Sequence, residues 1–418
     1  MTDADDAADQ ADDGEGVSPA DLARRLDRGD PITLLDVRNR AEIERWAIDG
    51  PSAVRTEIPY VKFQAARVND TVADLAGEIE HAGGSADADE STRNGDPAIV
   101  VCGRGEVSDT VADLLVKAGT RARNLAGGMD EWGDLYTATR LDLSGTRATV
   151  SQYRRPSSGC LSYLVVSDRE AVVVDPLWAF ADRYEADAAT LDASLTAAID
   201  THVHADHLSG LRELGERGIE RVLPESAVAR GVTFDTRSIA EGEAIAVGDT
   251  SLHAVSLPGH TTGMTGFAVG DLLLAGDSVF LDGVARPDLE VDTADTPGSG
   301  PTEASARGLA DDLYETLTTR LARFDDETVI APGHHAEETR PDENGAYTAR
   351  LGELRDRFEV QETEREAFIE RVLGGLGAQP ANHERIVRTN LGVETVAEDE
   401  ARTLELGPNN CAASVTAE

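Results

Sequence analysis

Lysine is almost missing from this chain: Lys62 and Lys117 are the only two among 418 residues. Against 38 basic residues stand 79 aspartates and glutamates, and the formal net charge is −41. Such an acidic chain repels phosphate backbones and anionic lipids, which argues against nucleic acid and membrane surfaces as partners. Disorder is one way to carry this charge, but 40% apolar residues and repeated strand-like runs point to packed domains. A halophilic, very salty cytoplasm accounts for it better, because ions there screen most of the self-repulsion. Cysteine is scarce as well. Cys102, Cys160 and Cys411 are odd in number and far apart, a poor disulfide framework that fits a reducing compartment and leaves any functional cysteine a thiol. No apolar run approaches the roughly 20 residues of a membrane span, and the acidic N-terminus has no basic n-region or apolar h-region. The expected location is cytoplasmic.

A chain of this length exceeds the usual size of a single core, so two or more domains are expected. Residues 1–16 are nearly all Asp, Ala, Glu, Gly and Gln and read as a disordered acidic tail. Ser18 is placed to cap a helix with Pro19 at its first position. Ile32 to Val37 reads as a short buried strand, a polar gap follows that includes Gly83 to Asp96, and Ala98 to Val101 reads as a second buried strand that delivers Cys102. Beyond Cys102-Gly103-Arg104-Gly105-Glu106-Val107-Ser108 an apolar-periodic helix runs through Val111, Leu114 and Leu115. A loop between a strand and a helix N-terminus turns backbone N–H groups inward, which stabilises a thiolate and cradles an anion.

Further along, three histidines and an aspartate fall within six consecutive residues, 202 to 207. They follow the apolar run Leu195 to Ile199 and precede Leu208-Ser209-Gly210, the order expected of a strand, a tight ligand-bearing turn and a helix start. Imidazole and carboxylate are donors that Zn(II) and Fe(II) accept. Similar contexts recur downstream: His260 in Leu257-Pro258-Gly259-His260, Asp277 after Leu272 to Gly276, and His334 after Ile330 to Gly333. Each sits where a strand gives way to a glycine-containing turn, and four segments sharing one geometry point to a metal site. Leu161 to Val166 and Ala171 to Val174, joined by a turn at 167–170, read as a hairpin closed by Asp175-Pro176. Cys160 reads as a core residue, since nothing basic lies beside it in sequence. A Gly- and Pro-rich acidic loop, Asp292 to Thr302, precedes a helical pattern from about Glu303 to Arg323 with Leu309, Leu313, Leu317 and Leu321 on one face. From Gly345 onward come an amphipathic helix or two, a stretch containing His383, read as a satisfied surface histidine, and a polar tail.

The series His202-x-His204-Ala205-Asp206-His207, then Gly259-His260, Gly276-Asp277 and Gly333-His334, resembles the signature of the metallo-beta-lactamase superfamily. That resemblance implies an αββα sandwich over residues 146–340 with the metal at one edge, and a supporting role for Asp175. Upstream, Asp36-Val37-Arg38 with Glu42, the Cys102-x5-Ser108 loop and Asn124 to Trp132 resemble a rhodanese (sulfurtransferase) domain over residues 17–140. It implies that Cys102 carries sulfane sulfur as a persulfide. Gly103 and Val107 stand where many rhodanese loops have arginine, which leaves Arg104 to compensate. The expected fold class is α/β: a rhodanese-like parallel α/β domain, the sandwich, and a C-terminal helical extension over residues 341–418.

Two chemistries within the superfamily compete. A glyoxalase II type of hydrolase would hold one metal by His202, His204 and His260 and a second by Asp206, His207 and His334, with Asp277 bridging; the cofactor is then Zn(II), one or two, and a bridging water is activated. A persulfide dioxygenase would hold one Fe(II) by His202, His260 and Asp277, with His204, Asp206, His207 and His334 around them, and would take a thiol persulfide and O2, with thiosulfate as a further sulfur donor. Arg286 and Asp288, soon after Asp277, resemble the dioxygenases, although Pro287 replaces the residue common there. So does Gly263-Met264-Thr265, where hydrolases tend to have a further histidine. Arg286 would steer an anionic substrate group, unless it forms a salt bridge on its own loop. Because rhodanese and dioxygenase share a persulfide, the domain pairing favours sulfur oxidation to sulfite. A non-enzymatic sulfur carrier or sensor is the third reading, and a homo-oligomer is left open.

Overall fold

The computed structural model describes residues 16–83, 96–290, 303–336, 338–358, 360–377, 379–380, 382–405 and 412–413. The tail up to residue 15, the polar stretch 84–95, the loop 292–302, Cys411 and most of the polar C-terminal tail lie outside the described residues. Two compact units divide the chain, residues 1–135 and 136–418.

The first unit runs α1 (Pro19–Arg28), β1 (Ile32–Asp36), α2 (Arg40–Arg45), β2 (Ala53–Glu57), α3 (Tyr60–Asn69), α4 (Val72–Gly83), β3 (Ala98–Val101), α5 (Glu106–Lys117), β4 (Ala122–Asn124) and α6 (Gly128–Asp134). Ser18 caps α1 by accepting from the Asp21 N–H at 3.1 Å, with Pro19 behind it. The four strands form a parallel sheet in the order β2-β1-β3-β4. All four residues of β3 are buried, as expected of a central strand with helices on both faces. Asp36 and Arg38 form a buried bidentate pair, and the same guanidinium donates to Trp46 O at 2.8 Å, so this short motif locks the end of β1.

In the second unit come β5 (Thr137–Arg140), β6 (Thr149–Arg154), β7 (Leu161–Ser167), β8 (Glu170–Val174), α7 (Ala181–Thr190), β9 (Ser194–Ile199), α8 (Leu211–Glu216), β10 (Glu220–Pro224), α9 (Glu225–Ala229) and β11 (Arg237–Ile239). These seven strands form one sheet in the order β11-β10-β9-β8-β7-β6-β5. A second sheet has the order β12-β13-β14-β15-β17-β18, from β12 (Ala244–Val247), β13 (Thr250–Ser256), β14 (Thr265–Val269), β15 (Leu272–Gly276), β17 (Val329–Pro332) and β18 (Ala349–Arg350). Between β15 and β17 lie β16 (Val284–Ala285) and α10 (Glu303–Glu315); α11 (Leu351–Phe358), α12 (Arg365–Gly374), α13 (His383–Asn390), α14 (Glu398–Leu404) and β19 (Ala412–Ala413) end the unit.

Every residue of β7 is buried, because both faces of its sheet are covered. Leu161, Tyr163 and Val165 face the second sheet with Phe267, Val269 and Leu274. Leu164 and Val166 face outward toward Tyr184, Leu211 and Leu214. The outer face of the second sheet, with Leu273 and Ile330, is covered by Leu313, Leu354, Phe368 and Val372. Four layers result, helix, sheet, sheet, helix, which is the expected sandwich. The hairpin β7–β8 closes through Asp168 and Arg169, with Asp168 at φ 52°.

Three details depart from the sequence reading. Residues 137–140 pair antiparallel with β6 and therefore belong to the sandwich sheet, not to the first domain. The helical pattern from Glu303 does not stay α-helical to Arg323: it continues through a π-helical turn at Thr316–Arg320 and a 3-10 turn at Leu321–Arg323. His383 is buried at the start of α13, where Nδ1 lies 2.9 Å from Pro380 O. The C-terminal helices fold back onto the sandwich instead of leaving that histidine on the surface.

Candidate functional site

In the first unit β3 ends at Val101 and the chain turns sharply into α5, which places the Cys102 thiol against that helix's first turn. Sγ lies 3.1 Å from the Gly105 N–H and 3.3 Å from the Ser108 N–H, and its own S–H faces Ser108 Oγ at 3.3 Å. Backbone dipoles thus converge on the sulfur from two directions. Gly128 makes the fit possible: it has φ +60°, and a Cβ there would stand 2.3 Å from Cys102 O and 2.7 Å from Gly105 N. Arg104 is 82% exposed and pairs with Asp130 at 3.6 Å.

In the second unit the turn after β9 carries His202, His204, Asp206 and His207, and the turns after β13, β15 and β17 bring His260, Asp277 and His334 to it. All seven are buried. The donor atoms of His202, His260 and Asp277 lie within 4.8 Å of one another, and Asp277 Oδ2 is 3.9 Å from His202 Nε2 and 3.8 Å from His260 Nε2. Each imidazole is held from behind. Nδ1 of His260 donates to the Arg286 carbonyl at 2.8 Å; Nδ1 of His202 meets Thr201 Oγ1 at 2.9 Å, and that hydroxyl donates to Asp175 Oδ2 at 3.0 Å. Such partners leave the opposite nitrogen of each ring with a free lone pair. Burial, reinforced by His204, pushes His202 far below the usual imidazole range and keeps it neutral. Burial raises the Asp277 carboxyl, but His334, by its charge and its hydrogen bond, outweighs it and holds it below the usual range, ionised. His202 Nε2 and Asp277 Oδ2 are buried without a hydrogen-bond partner. Two imidazoles and an ionised carboxylate with inward atoms left over fit a divalent cation.

A second group, Cys160, Asp206, His207 and His334, has its donor atoms equally close. Here His334 spans two carboxylates, with Nδ1 2.9 Å from Asp277 Oδ1 and Nε2 2.7 Å from Asp206 Oδ2. His207 Nδ1 lies 2.8 Å from the same Asp206 oxygen. Burial raises Asp206, but His207 and His334 hold it well below the usual range. A third group is Asp175, Asp200 and His204. Asp175, with φ 52°, turns its carboxylate into the ligand loop, accepting from Thr201 N–H at 2.7 Å and facing His204 Nε2 at 3.1 Å. Burial, partly offset by His204, pushes Asp200 up to about 7.

Arg286 forms the salt bridge on its own loop that was the other expectation for it. Its side chain is fully buried, pairs with Asp288 at 2.7 and 3.0 Å and donates to Gly377 O at 3.0 Å. Its link to the site is the carbonyl that orients His260. Cys160 is in the core as expected, yet its Sγ is 3.3 Å from Asp206 Oδ2, among ionisable neighbours. Burial would raise this thiol, but His334 and His207 bring it below its ordinary value despite Asp206. Sequence reading missed this placement, along with Asp200, Asn390 and Glu405. A bridge between Cys160 and His334 creates the first, and no local motif announces such a pairing.

Comparison with known proteins assigns both units. Residues 156–334 match the metallo-beta-lactamase superfamily model and residues 18–135 the rhodanese-like domain model. The chain joins a rhodanese-like domain to a metallo-beta-lactamase superfamily domain. Among relatives of the latter is the persulfide dioxygenase ETHE1, mitochondrial, of Mus musculus, 29% identical over 199 residues, which are 46% of this chain and 70% of that protein. A hydroxyacylglutathione hydrolase of Xanthomonas euvesicatoria is 28% identical over 171 residues, 41% of this chain and 58% of that protein. In fold, the metallo-beta-lactamase structure from Staphylococcus aureus superposes with a TM-score of 0.53 at 22% identity, covering 60% of this chain and 75% of that one. Among the described residues no helix is long and apolar enough to cross a membrane.

Proposed function

We propose that this chain is a persulfide dioxygenase: with O2 and one water it oxidises the outer sulfur of a low-molecular-weight thiol persulfide to sulfite and releases the thiol, at one Fe(II) that His202, His260 and Asp277 would hold, and it transfers sulfane sulfur at Cys102. The observation that carries this reading is the division of the buried donors. His202 and Asp277 keep inward atoms without partners, while His334 has both ring nitrogens against carboxylates. Iron held by these two imidazoles and one carboxylate would supply the O2 chemistry that persulfide oxidation needs. The chain's own residues do the rest. Thr201 and the Arg286 carbonyl set the two imidazole tautomers, Asp277 supplies negative charge, and burial keeps water away from a reactive sulfur anion. Similarity to the persulfide dioxygenases supports the substrate class, and so does a second sulfur-handling domain in the same chain. In that domain the amide cradle would hold the persulfide anion on Cys102, and thiosulfate is a candidate donor. Cys102 and Cys160 are not joined in a disulfide, which supports a reducing, cytoplasmic setting.

A binuclear thioester hydrolase is the second reading, favoured by two further buried ring nitrogens without a hydrogen-bond partner: His204 Nδ1 and His207 Nε2. Counting metals after anaerobic purification separates the two. One iron per chain, retained in His334→Ala and lost in Asp277→Ala, is the expected result. Two metals per chain, with one lost together with thioester cleavage in His334→Ala, would establish the hydrolase instead.

A further inference from the structure

We infer that the C-terminal helices hold the backbone of the metal-ligand loop in register, and that Asn390 is the positioning residue through which they act. The loop between β9 and α8 is irregular, so its buried carbonyls need partners from outside it. Asn390, the last residue of α13, supplies them. Its Nδ2 donates to His204 O at 3.0 Å and to His207 O at 2.9 Å, and its Oδ1 accepts from the Ser209 N–H at 2.9 Å. That pattern also fixes the orientation of the amide, since the flipped group would set an oxygen against two carbonyls.

A second contact from the same segment makes the hold two-sided. Glu405, just beyond α14 and buried, accepts from the Leu208 N–H at 2.8 Å with Oε1, while Oε2 pairs with the buried Arg155. The Arg155 N–H donates to Cys160 O at 3.0 Å, and the Leu161 N–H donates to Gly333 O at 2.8 Å, next to His334. One carboxylate therefore ties the ligand loop to the turn facing His334. Between these polar contacts Leu208 is buried among Ile386, Ala401 and Leu404. Ligand geometry has to be held to about half an ångström, and here the carbonyls of two cluster histidines are fastened to one side chain far along the chain. The inference rests on the loop holding a metal and is independent of the reaction performed there.

The test uses the full chain and Co(II) as the probe, read by visible absorption and by competition with a chelator. Asn390→Asp keeps the shape but sets an oxygen against two carbonyls; Asn390→Ser removes the reach and leaves room for water. Expected in either folded variant is Co(II) binding about 10- to 100-fold weaker than in the parent, the range for losing a partner that orients ligands, with a changed cobalt spectrum. Sulfur transfer at Cys102 stays at the parent level. If Asn390→Asp does not fold, Asn390→Ser decides, and faster hydrogen exchange at Ser209 is expected in it. Parent-like affinity, spectrum and exchange in Asn390→Ser overturn the inference. A parent chain that takes up no Co(II) overturns the metal reading and this one together, whereas Co(II) uptake without dioxygenase activity removes only the proposed reaction.

Discussion

Cys102 is held by amides that belong to the backbone, so Cys102→Ser removes the sulfur nucleophile while leaving its cradle intact. Transfer of sulfur from thiosulfate or a thiol persulfide should then fall to background with metal content unchanged; transfer that survives would make the loop purely structural. Asp200 offers a test through pH. Its folded-state pKa is raised to about 7 by burial, so the stabilisation tied to its proton is complete below its unfolded value and is lost as pH rises through the folded one. In the metal-free protein, Asp200→Asn should gain stability relative to the parent between about pH 4 and 7, by on the order of 4 kcal/mol, measurable by urea unfolding. A difference that stays flat across this window would contradict the assignment. The seven cluster residues were legible in the sequence because each follows an apolar strand run and sits at a glycine-containing turn. Cys160 was not, since its neighbours Asp206 and His334 arrive from other strands. Nor was the fate of Arg286: the pairing with Asp288 is local, but complete burial of the guanidinium depends on Gly377 arriving from the far end of the chain.

At the scale of elements, the site depends on turns that deliver ligands from strand ends. Gly333 closes β17 with no room beside it, for a Cβ there would stand 2.3 Å from Asp277 Oδ1. Gly333→Ala should therefore displace the carboxylate and weaken metal binding by about ten-fold or more, as loss of ligand support does, while leaving the circular dichroism of the fold unchanged. Parent-like metal affinity in that variant would show that the carboxylate has slack. Strands such as β3 and β7 could be read from continuous apolar runs, which mark sheets covered on both faces. The edge strand β5 could not. Thr137 to Arg140 carry no such run, and their place in the sandwich comes from pairing with β6. The role of α13 and α14 was hidden for a related reason: amphipathic periodicity shows that a helix packs, but not against what.

For the molecule as a whole, a rhodanese-like domain and a metallo-beta-lactamase superfamily domain share one chain of net charge −41, a charge whose self-repulsion dissolved salt weakens. The two-domain order was legible because each domain has its own motif, the cysteine loop in one and the histidine series in the other. Metal identity was not, since iron and zinc accept the same donors. O2 uptake decides the central claim: protein purified without oxygen and loaded with Fe(II) is given glutathione persulfide, and oxygen and sulfite are followed together. The account predicts oxygen consumption in step with sulfite formation, dependent on iron and absent in Asp277→Ala. Two zincs per chain with vigorous thioester hydrolysis and no oxygen uptake would contradict it.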